Sequence, residues 1–185
     1  MLNVKNMLNK CSLYGEKLMR HKALLLITIF SLLVSSKASA DLDSASQAIE
    51  RARNAIAKAE AVVSLIPETS PDLDYVVQLL NTTSEDWNTA LNSYNESKMC
   101  AAKIRETSNE SLKEDYKALL DVCKQLTQTH ANAVIISTSY VRVLAHQRLD
   151  QLDTIQSSID EIAQVKQLVL DDADYTKKAI TAKYQ

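Results

Sequence analysis

Apolar residues recur along this chain at alternating intervals of three and four, the period of a helix that buries one stripe. They do so in four runs. In the first, Leu42, Ala45, Ile49, Ala52, Ile56, Ala59, Val63 and Ile66 form a heptad seam, which predicts a helix over 44–66. Ser44-Ala45-Ser46-Gln47 reads as its capping box and Pro67 as its stop. Alanine at every second seam position keeps the side chains short, so this helix can approach a neighbour closely.

The second run predicts a helix to about residue 105, with Ser70 as cap and Pro71 in the first turn, where a missing amide costs nothing. Leu73, Leu80, Trp87, Tyr94 and Ala101 recur every seven residues and define its expected inner stripe. The polar patch Asn81-Thr82-Thr83-Ser84 is the place where it would kink. Trp87 and Tyr94 are read as core rather than as a platform for a ligand.

A break of five polar residues follows at 107–111, and Ser111-Leu112-Lys113-Glu114 reads as a second capping box, predicting a third helix over 112–149. Tyr116, Leu119, Cys123, Leu126, His130 and Ala133 form its inner stripe. Over 131–145 the pattern becomes apolar nearly all round. Val134, Ile135, Ile136, Val141 and Val143 are β-branched and alone would favour a strand, yet helical patterns flank them on both sides. The segment is therefore expected to be the most buried part of a helix. The seam restarts at Leu152, Ile155, Ile159 and Ile162 after a turn expected near Gln151, with Asp153 as cap. An unbroken helix over 112–184 is the alternative; it would be about 110 Å long and find too few partners.

These runs predict an all-α, up-and-down four-helix bundle with long helices. The second and third helices outreach the others, so a helical hairpin over 99–122 is expected to project. Cys100 and Cys123 flank its turn at nearly matching levels and are predicted to form a disulfide, worth about 3 kcal/mol in the chain-entropy model. Lys103, Arg105, Lys113 and Lys117 on that hairpin are the candidate contact surface.

Composition adds the compartment. Basic residues ending Met19-Arg20-His21-Lys22, an apolar run over 23–34 and the small-residue ending Ala38-Ser39-Ala40 are the three parts of a secretory signal peptide. The expected organisation is a cleaved signal over 1–40 and one helical domain over 41–185, in the periplasm or outside the cell. The apolar run is too short for a membrane anchor, so no stable membrane insertion is expected after cleavage. The segment before it is long for a signal, so the start lies at Met1, Met7 or Met19. Removing residues 1–40 discards Cys11, the only glycine (Gly15), six basic residues and one acidic residue, leaving a formal charge of −7. That balance argues against nucleic acid as a partner. Two cysteines remain, an even number suited to an oxidising compartment.

The chemical inventory argues against an enzyme. His130 and His146 are the only imidazoles in 41–185 and point about 160° apart on one helix, so they cannot share a site. No C-x-x-C-H, E-x-x-H or H-E-x-x-H is present. His146 and Asp150, four residues apart, supply too few ligands for a metal. Neither a metal nor a cofactor is expected. A His130/Met99 haem pair defines the alternative of a haem- or metal-carrying bundle. A second alternative is an envelope chaperone, although Leu126-Thr127 is followed at position 130 by His130 where the L-T-x-x-Q motif of helical envelope chaperones has glutamine. Asn81, Asn95 and Asn109 begin N-x-S/T sequences, and that number is ordinary for so Ser/Thr-rich a chain. The leading expectation is a non-enzymatic protein acting by contact with a protein partner, its alanine-rich first helix being compatible with self-association.

Overall fold

A computed structural model describes residues 42–184, and the expected signal peptide lies outside them. Four helices follow one another: α1 (Asp43–Val63), α2 (Leu73–Glu106), α3 (Glu110–Ala145) and α4 (Leu152–Ala182), with a turn of 3-10 helix, Leu149–Gln151, leading into α4. There is no strand among the described residues, and the architecture is an all-α four-helix bundle. None of these helices is long and apolar enough to cross a membrane.

The bundle is organised around α3. No residue between Leu119 and Ala145 is exposed, because α1, α2 and α4 all pack against this helix. Its β-branched segment is helical, the surrounding packing overriding local propensity. The small residues Ala48 and Ala52 of α1 and Ala90 of α2 meet Ala131 and Val134 of α3, and Ile49 fills the same cluster. By contrast α1 and α2, although consecutive, scarcely touch each other. A second cluster at the base joins Ala59, Ile66, Val76, Leu79, Tyr140, Val141 and Leu144. The rings of Tyr75 and Tyr140 meet edge to face there, 5.1 Å apart.

The α1 seam is buried as its period requires, except at Val63. The helix ends there, three residues before the predicted stop, and Ile66 folds back into the base cluster. On α2 the face turned to α3 differs from the predicted stripe. Leu73, Leu80, Trp87 and Tyr94 are only half-buried, and of the predicted stripe Ala101 alone is buried, whereas Val76, Leu79, Thr83, Asp86, Ala90, Ser93, Ser97 and Cys100 are buried. The true seam lies about 60–100° round the helix. Half of it is polar, so counting apolar residues located its flank. The polar patch does not break α2, because Thr82 and Thr83 donate their hydroxyls back to the carbonyls of Gln78 and Leu79.

The two predicted capping boxes do not form. The residue flanking α1 is Leu42, with no side-chain cap. At α3 the cap is Asn109, whose Oδ1 accepts the Leu112 amide at 3.3 Å, two residues ahead of Ser111; asparagine caps as well as serine does. Ser70 likewise precedes α2 in a turn instead of capping it: its Oγ accepts the Asp72 amide at 3.4 Å and its carbonyl the Leu73 amide at 3.2 Å.

α3 stops at Ala145, four residues before the predicted end, through a Schellman arrangement. The Arg148 amide bonds the Val143 carbonyl and the Gln147 amide bonds the Leu144 carbonyl, each at 3.0 Å. Gln147 takes the left-handed conformation this needs, at φ 55°. Glycine usually occupies that position because it has no Cβ to clash.

The hairpin tip is shorter than expected. Leu42 packs with Cys100, Ala101 and Leu120. From the other side the end of α4 reaches Asp115, whose carboxylate accepts Lys183 Nζ at 2.6 Å and the Tyr184 hydroxyl at 2.7 Å. The part left beyond both is about 105–114.

Two outcomes follow from these turns. Gln147→Gly should stabilise the protein by about 1 kcal/mol, seen as a higher denaturant midpoint with unchanged slope. The bond from Lys183, and then that from Tyr184, hold the Asp115 carboxyl below the usual carboxylate range. A lowered value means that this clamp contributes fully above about pH 4, the unfolded value, and is lost as pH falls through the folded one. Protection of the amides in the last turn of α4, relative to their intrinsic exchange rates, should fall on acidification before that of the rest of the bundle, and Asp115→Asn should remove that pH dependence.

Candidate functional site

The polar half of the α2 seam surrounds one charged residue. Asp86 is enclosed by three helices, its side chain only 5% exposed, and it needs counter-charges or donors to stay ionised there. It has both. His130 of α3 donates its Nδ1–H to Oδ1 at 2.7 Å. Lys166 of α4 straddles the carboxylate, its Nζ 2.7 Å from Oδ1 and 2.9 Å from Oδ2. Lys166 occupies a position on the α4 seam between Ile162 and Val169, so its stem runs over apolar surface while its ammonium reaches the pair.

A carboxylate that orients an imidazole is half of a nucleophilic triad. The other half is not assembled. His130 Nε2 is buried and bonds no other group, and the neighbouring Thr129 hydroxyl is buried without a partner as well. The three side chains tie α2, α3 and α4 together electrostatically. Tyr75 of α2 adds a second tie to α4, donating its hydroxyl to Gln156 at 2.6 Å.

Cys100 and Cys123 are brought together near the tip. Both are buried free thiols within hydrogen-bonding reach of one another. Cys123 also donates to Glu96 Oε2 at 3.4 Å, and Lys177 of α4 holds that carboxylate from the other side at 3.4 Å. The neighbouring Cys123 pulls the Cys100 thiol below its usual range. The contact with Cys100, followed by burial and Glu96, pushes Cys123 up. Two adjacent thiols can be joined as a disulfide by exchange with an external disulfide oxidant, which is reduced to its dithiol.

Of the candidate contact residues, Lys103 pairs with Glu106 at 3.0 Å and Lys113 with Glu110 at 2.8 Å, each along its own helix. Arg105 and Lys117 are exposed and make no ion pair among the described residues. Met99 is 66% exposed on α2. It lies 13 residues from Asp86, about 20 Å along the axis, so the structure does not bring it to His130. No three His, Cys, Asp or Glu side chains among the described residues are grouped to hold a metal. Trp87 packs half-buried against α1 and borders an apolar groove of about 340 Å³ between α1 and α2, which Ile56, Leu80 and Thr138 also line.

The sequence reading placed His130 inward and missed Asp86, Lys166, Glu96 and Lys177. A signal was present: Asp86 and Lys166 stand at heptad positions, each seven residues from seam neighbours, with opposite charges. Only a seam reading that admits polar residues would have paired them.

Asp86→Ala should destabilise the bundle by about 3–5 kcal/mol, because it leaves His130 and Lys166 without their counter-ion. Exposed Asp172→Ala should change stability by less than about 0.5 kcal/mol. Urea unfolding of the two variants checks the contrast. No protein-family model matches the chain, and neither a curated protein nor a solved structure matches it.

Proposed function

We propose that this is an exported, non-enzymatic helical-bundle protein, working by protein contact in the periplasm or extracellular space, with Cys100 and Cys123 joined as a disulfide after export. The observation that carries the reading is the cysteine pair itself. Two buried thiols in bonding reach lie at the root of the hairpin in a chain whose first forty residues read as a signal. In an oxidising compartment such a pair closes readily. The link stiffens α2 against α3 near the start of α1, below the level at which α4 ends on Asp115, and so presents the tip as a rigid element. Arg105 at the tip and Lys117 just below it, exposed and unpaired, are free to meet an acidic surface on a partner.

A second reading, an envelope chaperone, draws support from α4. Only Ala173 of that helix is fully buried, and Leu168 and Tyr175, seven residues apart, are 61% and 74% exposed on one face.

Intact mass of the protein recovered from its native host should correspond to residues 41–185 and rise by two hydrogens on reduction. An uncleaved chain would remove the compartment from the proposal. For the contact surface, a photo-crosslinker at position 105 or 117 should yield one defined adduct, and the same group at exposed Lys58 of α1 should not. Equal labelling from all three positions, together with suppression of client aggregation at stoichiometric amounts, would favour the chaperone reading instead.

A further inference from the structure

Opposite the tip, the turn from α3 to α4 closes over a concavity of about 250 Å³ that none of the functional readings above uses. Ser139, Arg142 and His146 line it from one side of α3, Arg148 and Gln151 from the turn, and Ile155 from the first turns of α4. No Asp or Glu lines the concavity, although residues 41–185 carry an acidic excess.

Neither Arg142 nor Arg148 makes an ion pair among the described residues. Unpaired cations elsewhere, such as Arg105 and Lys117, stand separately on exposed surface. Here two arginines and a histidine line one recess; Arg148 and His146 are exposed, while Arg142 is half-buried, so part of its hydration is already lost without a counter-charge. Basic residues near the end of a helix complement its dipole. That accounts for Arg142 alone, since Arg148 lies beyond the helix.

The backbone around the recess also favours negative charge. The last carbonyls of α3 are engaged within the turn: that of Arg142 by the His146 amide at 3.1 Å, and those of Val143 and Leu144 by the two Schellman bonds. They present few free lone pairs to repel an anion. α4, a 31-residue helix, starts at the rim without a side-chain cap from Gln151, so the positive end of its dipole lies there; the backbone amides of Gln151 and Leu152 are spent on the Arg148 and Leu149 carbonyls, and Asp153 stands in the first turn. Ser139 spends its own proton on the Ile135 carbonyl at 2.7 Å. The donors in the recess are therefore the guanidiniums, the imidazole and the Gln151 side-chain amide.

We propose that this recess binds a phosphate group, either as the free ion or as the phosphate of a small ester. A carboxylate needs only one guanidinium fork. Two forks and an imidazole match the several oxygens and greater charge of phosphate, and Ile155 gives the carbon body of an ester an apolar wall. The assignment is independent of the protein-contact reading.

The test is calorimetric titration of protein from its native host at constant ionic strength with inorganic phosphate, glycerol phosphate and succinate. Saturable 1:1 binding of a phosphate species is expected, weakened about tenfold or more by Arg142→Gln or Arg148→Gln and unchanged by Lys103→Gln at the tip. Tighter binding of glycerol phosphate assigns the ester, and tighter binding of inorganic phosphate assigns the free ion. Both arginine positions are free of partners, so the variants should keep the parent's unfolding midpoint. The proposal is overturned if neither phosphate species saturates, if the R142Q/R148Q double variant binds as the parent does, or if succinate binds as tightly.

Discussion

A carboxylate buried among three helices sets the terms for this bundle. Asp86 faces His130 and Lys166 in the seam, and the three side chains come from three helices. Sliding any one of these helices by a turn would strand a buried charge at a cost of several kcal/mol, whereas an alanine seam such as that of α1 would tolerate the slip with little loss. Hydrophobic burial supplies the drive to collapse around α3. The charged tie selects one register from the many that apolar packing alone would allow, a role in which buried polar residues are best attested.

The same logic, repeated along the bundle, explains how α4 stays attached with a single fully buried residue. Its seam is apolar at the base, where Leu152, Ile155 and Ile159 pack beneath Tyr140 and Leu144. Further along, the contacts become increasingly polar: Lys166 on Asp86, Lys177 on Glu96, and Lys183 with Tyr184 on Asp115. Exposed pairs of this kind contribute little singly. Spaced along one helix, they align α4 with the α2–α3 hairpin and carry it up to the tip. The two ends of the molecule are consequently unlike: one closed by the cysteine layer and the Asp115 clamp, the other holding a basic recess in an acidic chain.

Much of the fold was legible because helical period, polar breaks and proline are local properties. The seam of α1, the break before Asn109, the helical state of the β-branched segment and the turn ahead of Leu152 all follow from residues within a few positions of the feature. The errors share one cause. Apolar counting assigned α2 the stripe through Leu80 and Trp87, and capping was assigned to Ser44 and Ser111, because in each case the competing residue (Asp86 in a seam, Asn109 at a cap) is one that a simple pattern treats as surface or loop.

The sequence by itself determined the number of helices, their approximate ends and the all-α class, since backbone hydrogen bonding and the 3.6-residue period act over one or two turns. Tertiary structure alone decided which face of α2 is buried, that Asp86 meets a lysine 80 residues away, and that Arg142 and Arg148 converge in one recess. Those outcomes depend on how separate helices rotate against each other. The energy that chooses the rotation, the matching of buried charge and polar groups across the interface, exists only once the helices have come together.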